Sequence, residues 1–364
     1  MGQNIVLCCD GTGNEISGNP SNILRLFHTL ERTPEQVLYY DGGVGTLIDP
    51  MSMTRFRKWM RRKLDAAIGH SLRGNFCNAY RFLAEHYQPG DRIFLFGFSR
   101  GAYTVRALAG AIYRFGILRP ELSRLAEFAW TSFSDELDNL SREDLFEAAA
   151  RFKKHFAVEP QSRVHFMGVF DTVSSLGWIW DSRTLLNTDH NPAIDHIRHA
   201  MALDECRGNF RIDRFMPKKA DQHLSMKEVW FPGVHSDIGG GYPEKESGLS
   251  KCALEWMLRE AADLGAVVNP QRRSDVLGGA KGMCAPNPLG PIHQSLTGFW
   301  RGLEWLPRRA WCRSRKRMVW FPPNRGRSRT YDDPVCLHQS VEARMNAIPD
   351  YGRRLRGTAY VVEQ

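Results

Sequence analysis

Short apolar runs alternate with amphipathic stretches along the first two thirds of the chain. The apolar runs predict buried strands at residues 4–10, 36–43, 91–99, 163–171 and 228–234. In other stretches the apolar positions recur every three or four residues, which predicts helices at residues 21–31, 72–87, 101–115, 143–156, 193–206 and 249–264. Strands that alternate with helices indicate an α/β fold, with a mostly parallel sheet and helices on both of its faces.

The alternation breaks down after Gly265, where Gly, Pro, Trp and Arg dominate. We therefore predict three parts: a catalytic core at residues 1–265, a basic, Trp-rich cap or membrane-contact insertion at 266–330, and a C-terminal segment at 331–364 that packs on the core. Leu296, Phe299, Trp300, Leu303 and Leu306 follow helical spacing in the insertion. Such spacing suits a buried face and a membrane-dipping face equally.

The most informative motif is Gly-Phe-Ser-Arg-Gly at residues 97–101, which lies where a predicted strand gives way to a predicted helix. Glycines two residues before and after a serine permit the sharp strand-to-helix turn of a nucleophile elbow, which exposes the serine hydroxyl. The start of the helix also offers unpaired N–H groups beside that hydroxyl. We expect an α/β-hydrolase-like fold with Ser99 as its nucleophile.

A nucleophilic serine needs a histidine base and a carboxylate that orients the base. Asp171 and His235 each follow a predicted strand, and active sites of parallel sheets lie at such strand ends. We predict that Asp171 orients His235. Asp237 is the substitute carboxylate, and His293 and His338 are the rival bases.

The loop after the first strand, Asp-Gly-Thr-Gly-Asn at residues 10–14, is suited to close approach of a ligand. We expect the backbone N–H groups of Arg100 and of Gly11 or Thr12 to form the oxyanion hole. Asp10 is expected to fix this loop by bonding its backbone. The Asp-Gly-Thr sequence also occurs in aspartyl-phosphate phosphatases. Those enzymes have a nucleophilic aspartate two residues before this Asp, whereas this chain has Cys8 there. A metal site built from Asp10, Asp171, His235 and Asp237 is a further alternative, whose spacing specifies no ion; we predict no metal and no cofactor.

The net charge of +9 is concentrated late in the chain. Residues 301–329 hold ten Lys or Arg against one acid, interleaved with tryptophans, and residues 55–63 hold six positive charges and no acid. These stretches favour peripheral contact with an anionic membrane. Nucleic acid is a weaker candidate partner because no recognised motif accompanies the charge.

Eight cysteines without a Cys-x-x-Cys pair, and an amino terminus that lacks a basic start, predict a reduced, cytoplasmic protein. Export without a signal peptide stays open.

Five sequence blocks in order resemble a bacterial α/β-hydrolase domain family of the DUF2235 type, which includes the catalytic part of type VI secretion phospholipase effectors. The blocks are Cys-Asp-Gly-Thr-Gly-Asn at 9–14, Tyr-Asp-Gly-Gly-Val-Gly-Thr at 40–46, Gly-Phe-Ser-Arg-Gly-Ala at 97–102, Val-Phe-Asp-Thr-Val at 169–173 and Pro-Gly-Val-His-Ser-Asp-Ile-Gly-Gly-Gly-Tyr at 232–242. The resemblance implies Ser99 as nucleophile, Asp171 as orienting acid and His235 as base.

We therefore predict a serine hydrolase that cleaves carboxylic esters through an acyl-enzyme, of phospholipase or lipid-esterase type. A soluble-ester esterase and a non-catalytic lipid- or protein-binding module on the same fold are the alternatives. Substitution of Asp171 by Asn is expected to leave the fold intact and to lower turnover by about four powers of ten.

Overall fold

The computed structural model describes residues 2–11, 18–43, 57–134, 142–173, 181–182, 188–216, 218, 224–312, 317–331 and 334–364. Its strands are β1 (Asn4–Cys9), β2 (Gln36–Asp41), β3 (Arg92–Phe98), β4 (Val164–Phe170), β5 (Asp181–Ser182), β6 (Ile194–Ala202), β7 (Ser225–Phe231), β8 (Arg308–Cys312), β9 (Arg317–Phe321), β10 (Val335–His338) and β11 (Tyr360–Glu363). Its α-helices are α1 (Asn22–Thr29), α2 (Arg57–His86), α3 (Arg100–Phe115), α4 (Ala126–Ser134), α5 (Arg142–Phe156), α6 (His235–Gly239), α7 (Gly248–Asp263), α8 (Pro270–Ser274), α9 (Gly298–Leu303) and α10 (Gln339–Ala347).

Eight strands of the described chain form one sheet in the order β11-β10-β7-β6-β4-β3-β1-β2, and neighbouring strands pair in parallel. Parallel strands of this kind are buried on both faces. Alternate residues of β3 show this directly, because Ile93 and Leu95 join one apolar cluster while Phe94 and Phe96 join another. Helices α2, α3 and α5 supply the first cluster, and α1 and α7 supply the second. The predicted α/β fold, with a mostly parallel sheet and helices on both faces, is confirmed.

The helix predicted at residues 193–206 is wrong, because most of this segment is strand β6, between β4 and β7. The polar side chains of β6 break the apolar run that is expected of a central strand. Arg198 is buried in an ion pair with Glu260, and buried His199 lies 3.0 Å from Glu228. Both partners lie far away in sequence, so the local pattern of apolar and polar residues does not reveal the burial.

The segment after residue 265 contributes to two sheets. Strands β8 and β9 pair antiparallel and join β5 in a separate three-stranded sheet. Strands β10 and β11 instead extend the main sheet beside β7. The exact boundaries at residues 265 and 330 stay predictions.

The helical spacing of residues 296–306 overestimated the helix, since α9 has six residues. It includes Gly298 and Gly302, which are poor helix formers, and Pro307 follows soon after its end. No helix among the described residues is both long and apolar enough to span a membrane.

Candidate active site

The turn from β3 to α3 has the geometry of a nucleophile elbow. Ser99 stands between the two elements with φ 54° and ψ −117°, a strained conformation for a residue with a side chain. A Cβ atom at Gly97 would lie 2.5 Å from Cα of Ala102, and one at Gly101 would lie 2.0 Å from the carbonyl oxygen of Cys9. Both positions therefore require glycine, as the sequence predicts, and the end of β1 lies directly against the elbow.

The ends of three parallel strands bring the predicted residues together. Ser99 follows β3, Asp171 follows β4, and His235 begins α6 shortly after β7. The Nε2 atom of His235 lies 2.9 Å from Oγ of Ser99, and its Nδ1 atom lies 2.6 Å from Oδ2 of Asp171. These distances suit a hydrogen-bonded relay from serine to imidazole to carboxylate.

His235 is 5% exposed and is enclosed by aromatic rings. The ring of Phe98 lies 4.8 Å from the imidazole, and the edge-on ring of Phe210 lies 4.9 Å away. The backbone N–H of His235 donates to the carboxylate of Glu205 at 3.2 Å. These contacts hold the imidazole in one orientation between Ser99 and Asp171.

The carboxylate of Asp171 is completely buried and has three kinds of donor. Besides His235, the backbone N–H of Ala202 donates to its Oδ1 at 2.8 Å. Arg329 donates to both of its oxygens, with Nη1 2.6 Å from Oδ1 and Nη2 3.0 Å from Oδ2. Burial on its own raises the pKa of a carboxyl group, but the Arg329 charge and the His235 hydrogen bond outweigh burial and hold the pKa of Asp171 well below its usual range.

The three predicted oxyanion donors differ in what the structure shows. Arg100 is the first residue of α3, where backbone N–H groups have no partner within the helix. The N–H of Gly11 donates to the Asp10 carboxylate at 2.6 Å, so that donor is already engaged. Thr12 lies outside the described residues. Burial lowers the pKa of the Arg100 guanidinium to about 10.

The carboxylates of Asp10 and Asp237 make structural contacts outside the relay. Asp10 accepts from the Tyr40 hydroxyl at 2.9 Å and also from Ser21, besides its bond to the Gly11 backbone. Asp237 is bound by Nδ1 of His293 at 2.6 Å and lies outside the relay. Among the described residues, no group of three or more His, Cys, Asp or Glu side chains is arranged to hold a metal ion.

The rival histidines occupy other sites. His293 bridges Asp237 and Glu246, and its ring stacks on Tyr242 with centroids 3.5 Å apart. His338 precedes α10 and stacks on Phe231, and its burial lowers its pKa to about 3. Each histidine therefore has partners of its own, away from Ser99.

Two charged residues at the site were missed by sequence reasoning. Glu205 is buried and supports His235, but the segment that carries it was predicted as helix. Arg329 was counted only as the last of the ten Lys and Arg residues at positions 301–329. No local signal distinguishes it, because its contact with Asp171 spans 158 residues of chain.

The sequence also identifies relatives. Residues 3–260 match the family described as "T6SS, Phospholipase effector Tle1-like, catalytic domain". The chain belongs to this family. The resemblance inferred from the five sequence blocks is thus confirmed.

Individual relatives of this Tle1-like chain are more distant or longer. An uncharacterized protein of Saccharomyces cerevisiae is 38% identical over 226 residues, which cover 59% of this chain and 33% of that protein. The chain therefore spans about a third of the length of this curated relative. A crystal structure of an uncharacterized protein from Pseudomonas aeruginosa is similar at 21% identity and a TM-score of 0.44, covering 75% of this chain and 47% of the other. The structure of the Tle1 effector bound to the VgrG spike of the type 6 secretion system is similar at 19% identity and a TM-score of 0.40, with 68% and 53% covered.

Proposed function

We propose that this chain is a serine hydrolase that cleaves a carboxylic ester of a phospholipid through an acyl-enzyme. The observation that carries the proposal is the relay in which His235 lies 2.9 Å from Ser99 and 2.6 Å from Asp171. Family membership supports the lipid substrate.

In the proposed reaction, the Ser99 oxygen attacks the ester carbonyl while Nε2 of His235 takes the hydroxyl proton. Asp171 stabilises the resulting imidazolium, and the N–H of Arg100 donates to the developing oxyanion. His235 then gives the proton to the leaving alcohol as the ester C–O bond breaks. Water attacks the acyl-serine with His235 as base, and Ser99 is regenerated as the carboxylic acid leaves.

A fluorophosphonate probe tests the nucleophile. We expect covalent labelling at Ser99, located by mass spectrometry of the digested protein. Ser99→Ala should lose the label and keep the fold, whereas the control Ser123→Ala should keep both. Labelling that persists in Ser99→Ala, or that is absent from folded wild type, would refute the mechanism.

Exposed aromatic side chains of the predicted basic, Trp-rich insertion at residues 266–330 support the proposal that the substrate lies in a lipid surface. Trp305 and Trp320 are each 65% exposed, and Leu306 is 43% exposed. The same segment reaches the site, since Trp300 packs edge-on against Phe210 with centroids 5.2 Å apart. Exposed tryptophans among cationic residues are suited to the interface of an anionic membrane.

Vesicle assays test this surface. Wild type should hydrolyse vesicles rich in phosphatidylglycerol faster than phosphatidylcholine vesicles, and the preference should weaken as salt is raised. Trp305→Ala and Trp320→Ala should lower binding and turnover of vesicles but leave turnover of a soluble short-chain ester unchanged. The control is Phe128→Ala, which removes a 54% exposed aromatic side chain outside the segment. Equal turnover of vesicles and soluble esters, without vesicle binding, would indicate a general esterase instead.

A further inference from the structure

We propose that Arg329 is a positioning residue for the hydrolytic reaction: it fixes the Asp171 carboxylate and the Phe210 backbone against His235, so chain beyond the family's matched region completes the site. This inference rests on the proposed function. It concerns a residue that lies 69 positions after the match ends at residue 260.

The contacts of Arg329 are built around the catalytic relay. Two of its nitrogens reach the two oxygens of Asp171, as described above. Its Nε donates to the carbonyl oxygen of Phe210 at 3.1 Å, to which Nη2 also donates. Its Nη1 further donates to the carbonyl oxygen of Ala202 at 3.1 Å. Asp171 and Phe210 both contact His235, so one guanidinium group joins two of the groups that orient the imidazole.

Contacts of the neighbouring Tyr331 side chain anchor the segment that carries Arg329. The hydroxyl of Tyr331 donates to the carbonyl oxygen of Leu203 at 3.0 Å, and its ring packs edge-on against Trp230. The Arg329 side chain is only 7% exposed. A planar group with five donors, held in this way, fixes both the position and the plane of a carboxylate, which a lysine ammonium does not.

Arg329 also sets the charge of the resting site. With His235 neutral, Asp171 and Arg329 form a buried pair with no net charge. Among the described residues, other charged or titratable groups at this site include Glu205, which is paired with Arg207, and His199, whose Nε2 accepts from the backbone N–H of Thr172. Without Arg329, the carboxylate would be balanced only when His235 is protonated, and protonation removes the base.

The test compares Arg329→Met, Arg329→Lys and the control Arg327→Met, a neighbouring exposed arginine. The measurement is the pH dependence of kcat/KM and kcat on a soluble short-chain ester, which avoids any effect of membrane binding. The acid limb of kcat/KM reports the base of the free enzyme. For Arg329→Met we expect this limb to move to higher pH by about one unit or more. Each unit of that shift should lower activity on the acid side of the limb by up to about tenfold more than on the alkaline plateau, and KM should change little.

Arg329→Lys keeps the charge but not the planar fork. Its acid limb should stay within about 0.3 units of wild type, while kcat falls about tenfold on the plateau. This variant also provides the test if Arg329→Met does not fold. Arg327→Met should match wild type throughout.

The inference is overturned if Arg329→Met loses activity equally at all pH values, or behaves like Arg327→Met. A Lys variant with wild-type kcat, or with a displaced acid limb, contradicts it as well. Probe labelling separates the two proposals: if wild type labels at Ser99 and these profiles fail, only the inference about Arg329 is lost. If Ser99 does not label, the proposed function itself is lost.

Discussion

Replacement of Asp171 by Asn gives the sharpest test of the site's energetics. From the sequence alone this change should leave the fold intact, but the structure predicts a large loss of stability. Arg329 would keep its charge in a buried position without its carboxylate, and removal of one partner of a buried ion pair costs about 3–5 kcal/mol. A native domain has a free energy of unfolding of only about 5–15 kcal/mol. We therefore expect Asp171→Asn to be folded but clearly less stable.

A double-mutant cycle measures the contribution of the pair. The variant that combines Asp171→Asn with Arg329→Met removes both charges, so it should be less destabilised than the two single changes added together. The expected coupling is about 2–3 kcal/mol. The matched control is the pair of Arg163 and Asp195, which has the same chemistry at 2.6 Å but side chains that are 43% and 32% exposed. Its coupling should stay below about 1 kcal/mol.

The assay is urea unfolding followed by tryptophan fluorescence, with hydrolysis of a soluble ester measured on the same samples. Every variant with Asn at 171 should lose about four powers of ten in kcat, whatever its stability, because Asn does not stabilise the imidazolium. Single changes that add within about 0.5 kcal/mol would refute the reasoning. Equal coupling in the buried and exposed pairs would do the same.

Two further predictions follow from particular contacts. Gly101→Ala places a Cβ against the Cys9 carbonyl and should destabilise the fold by about 1–3 kcal/mol in urea unfolding. The control is Gly74→Ala, in an open helical position, which should stabilise the fold by about 0.5–1 kcal/mol in the same assay. Equal effects of the two changes would contradict the elbow packing. The second prediction concerns Glu228. Burial on its own would raise the pKa of this carboxyl group, but His199, Arg214 and a backbone N–H lower it to about 2. Its stabilisation is therefore present above about pH 4.5 and is lost as pH falls toward 2. Glu228→Gln should cost about 2–3 kcal/mol at pH 7, and a cost that does not shrink in acid would show that the charge is not its cause.

The parts of the fold that could be predicted from sequence are those with local causes. The elbow depends on two glycines within five residues, and the strand before Ser99 has an uninterrupted apolar run. Asp171 and His235 were placed by one rule, that parallel strands end at the same edge of a sheet. These features need no knowledge of distant contacts.

The parts that could not be predicted depend on partners far away in sequence. Strand β6 carries Arg198 and His199, whose burial is tolerable only because Glu260 and Glu228 pack beside them. A periodicity argument counts such residues as solvent-facing and therefore favours a helix. Arg329 belongs to the same class, because a cation inside a basic run shows nothing locally of the single buried carboxylate it contacts.

The contact between Arg329 and Asp171 joins residues that are made at different times during synthesis. The two residues are 158 positions apart. At a synthesis rate of about 5–20 residues per second, Asp171 is made roughly 8–30 seconds before Arg329. During that interval the nascent chain already contains Ser99, Asp171 and, soon afterwards, His235, but it lacks the cation that neutralises the buried carboxylate. If Arg329 has the role proposed above, the site would stay weakly active until these later residues have folded onto the sheet.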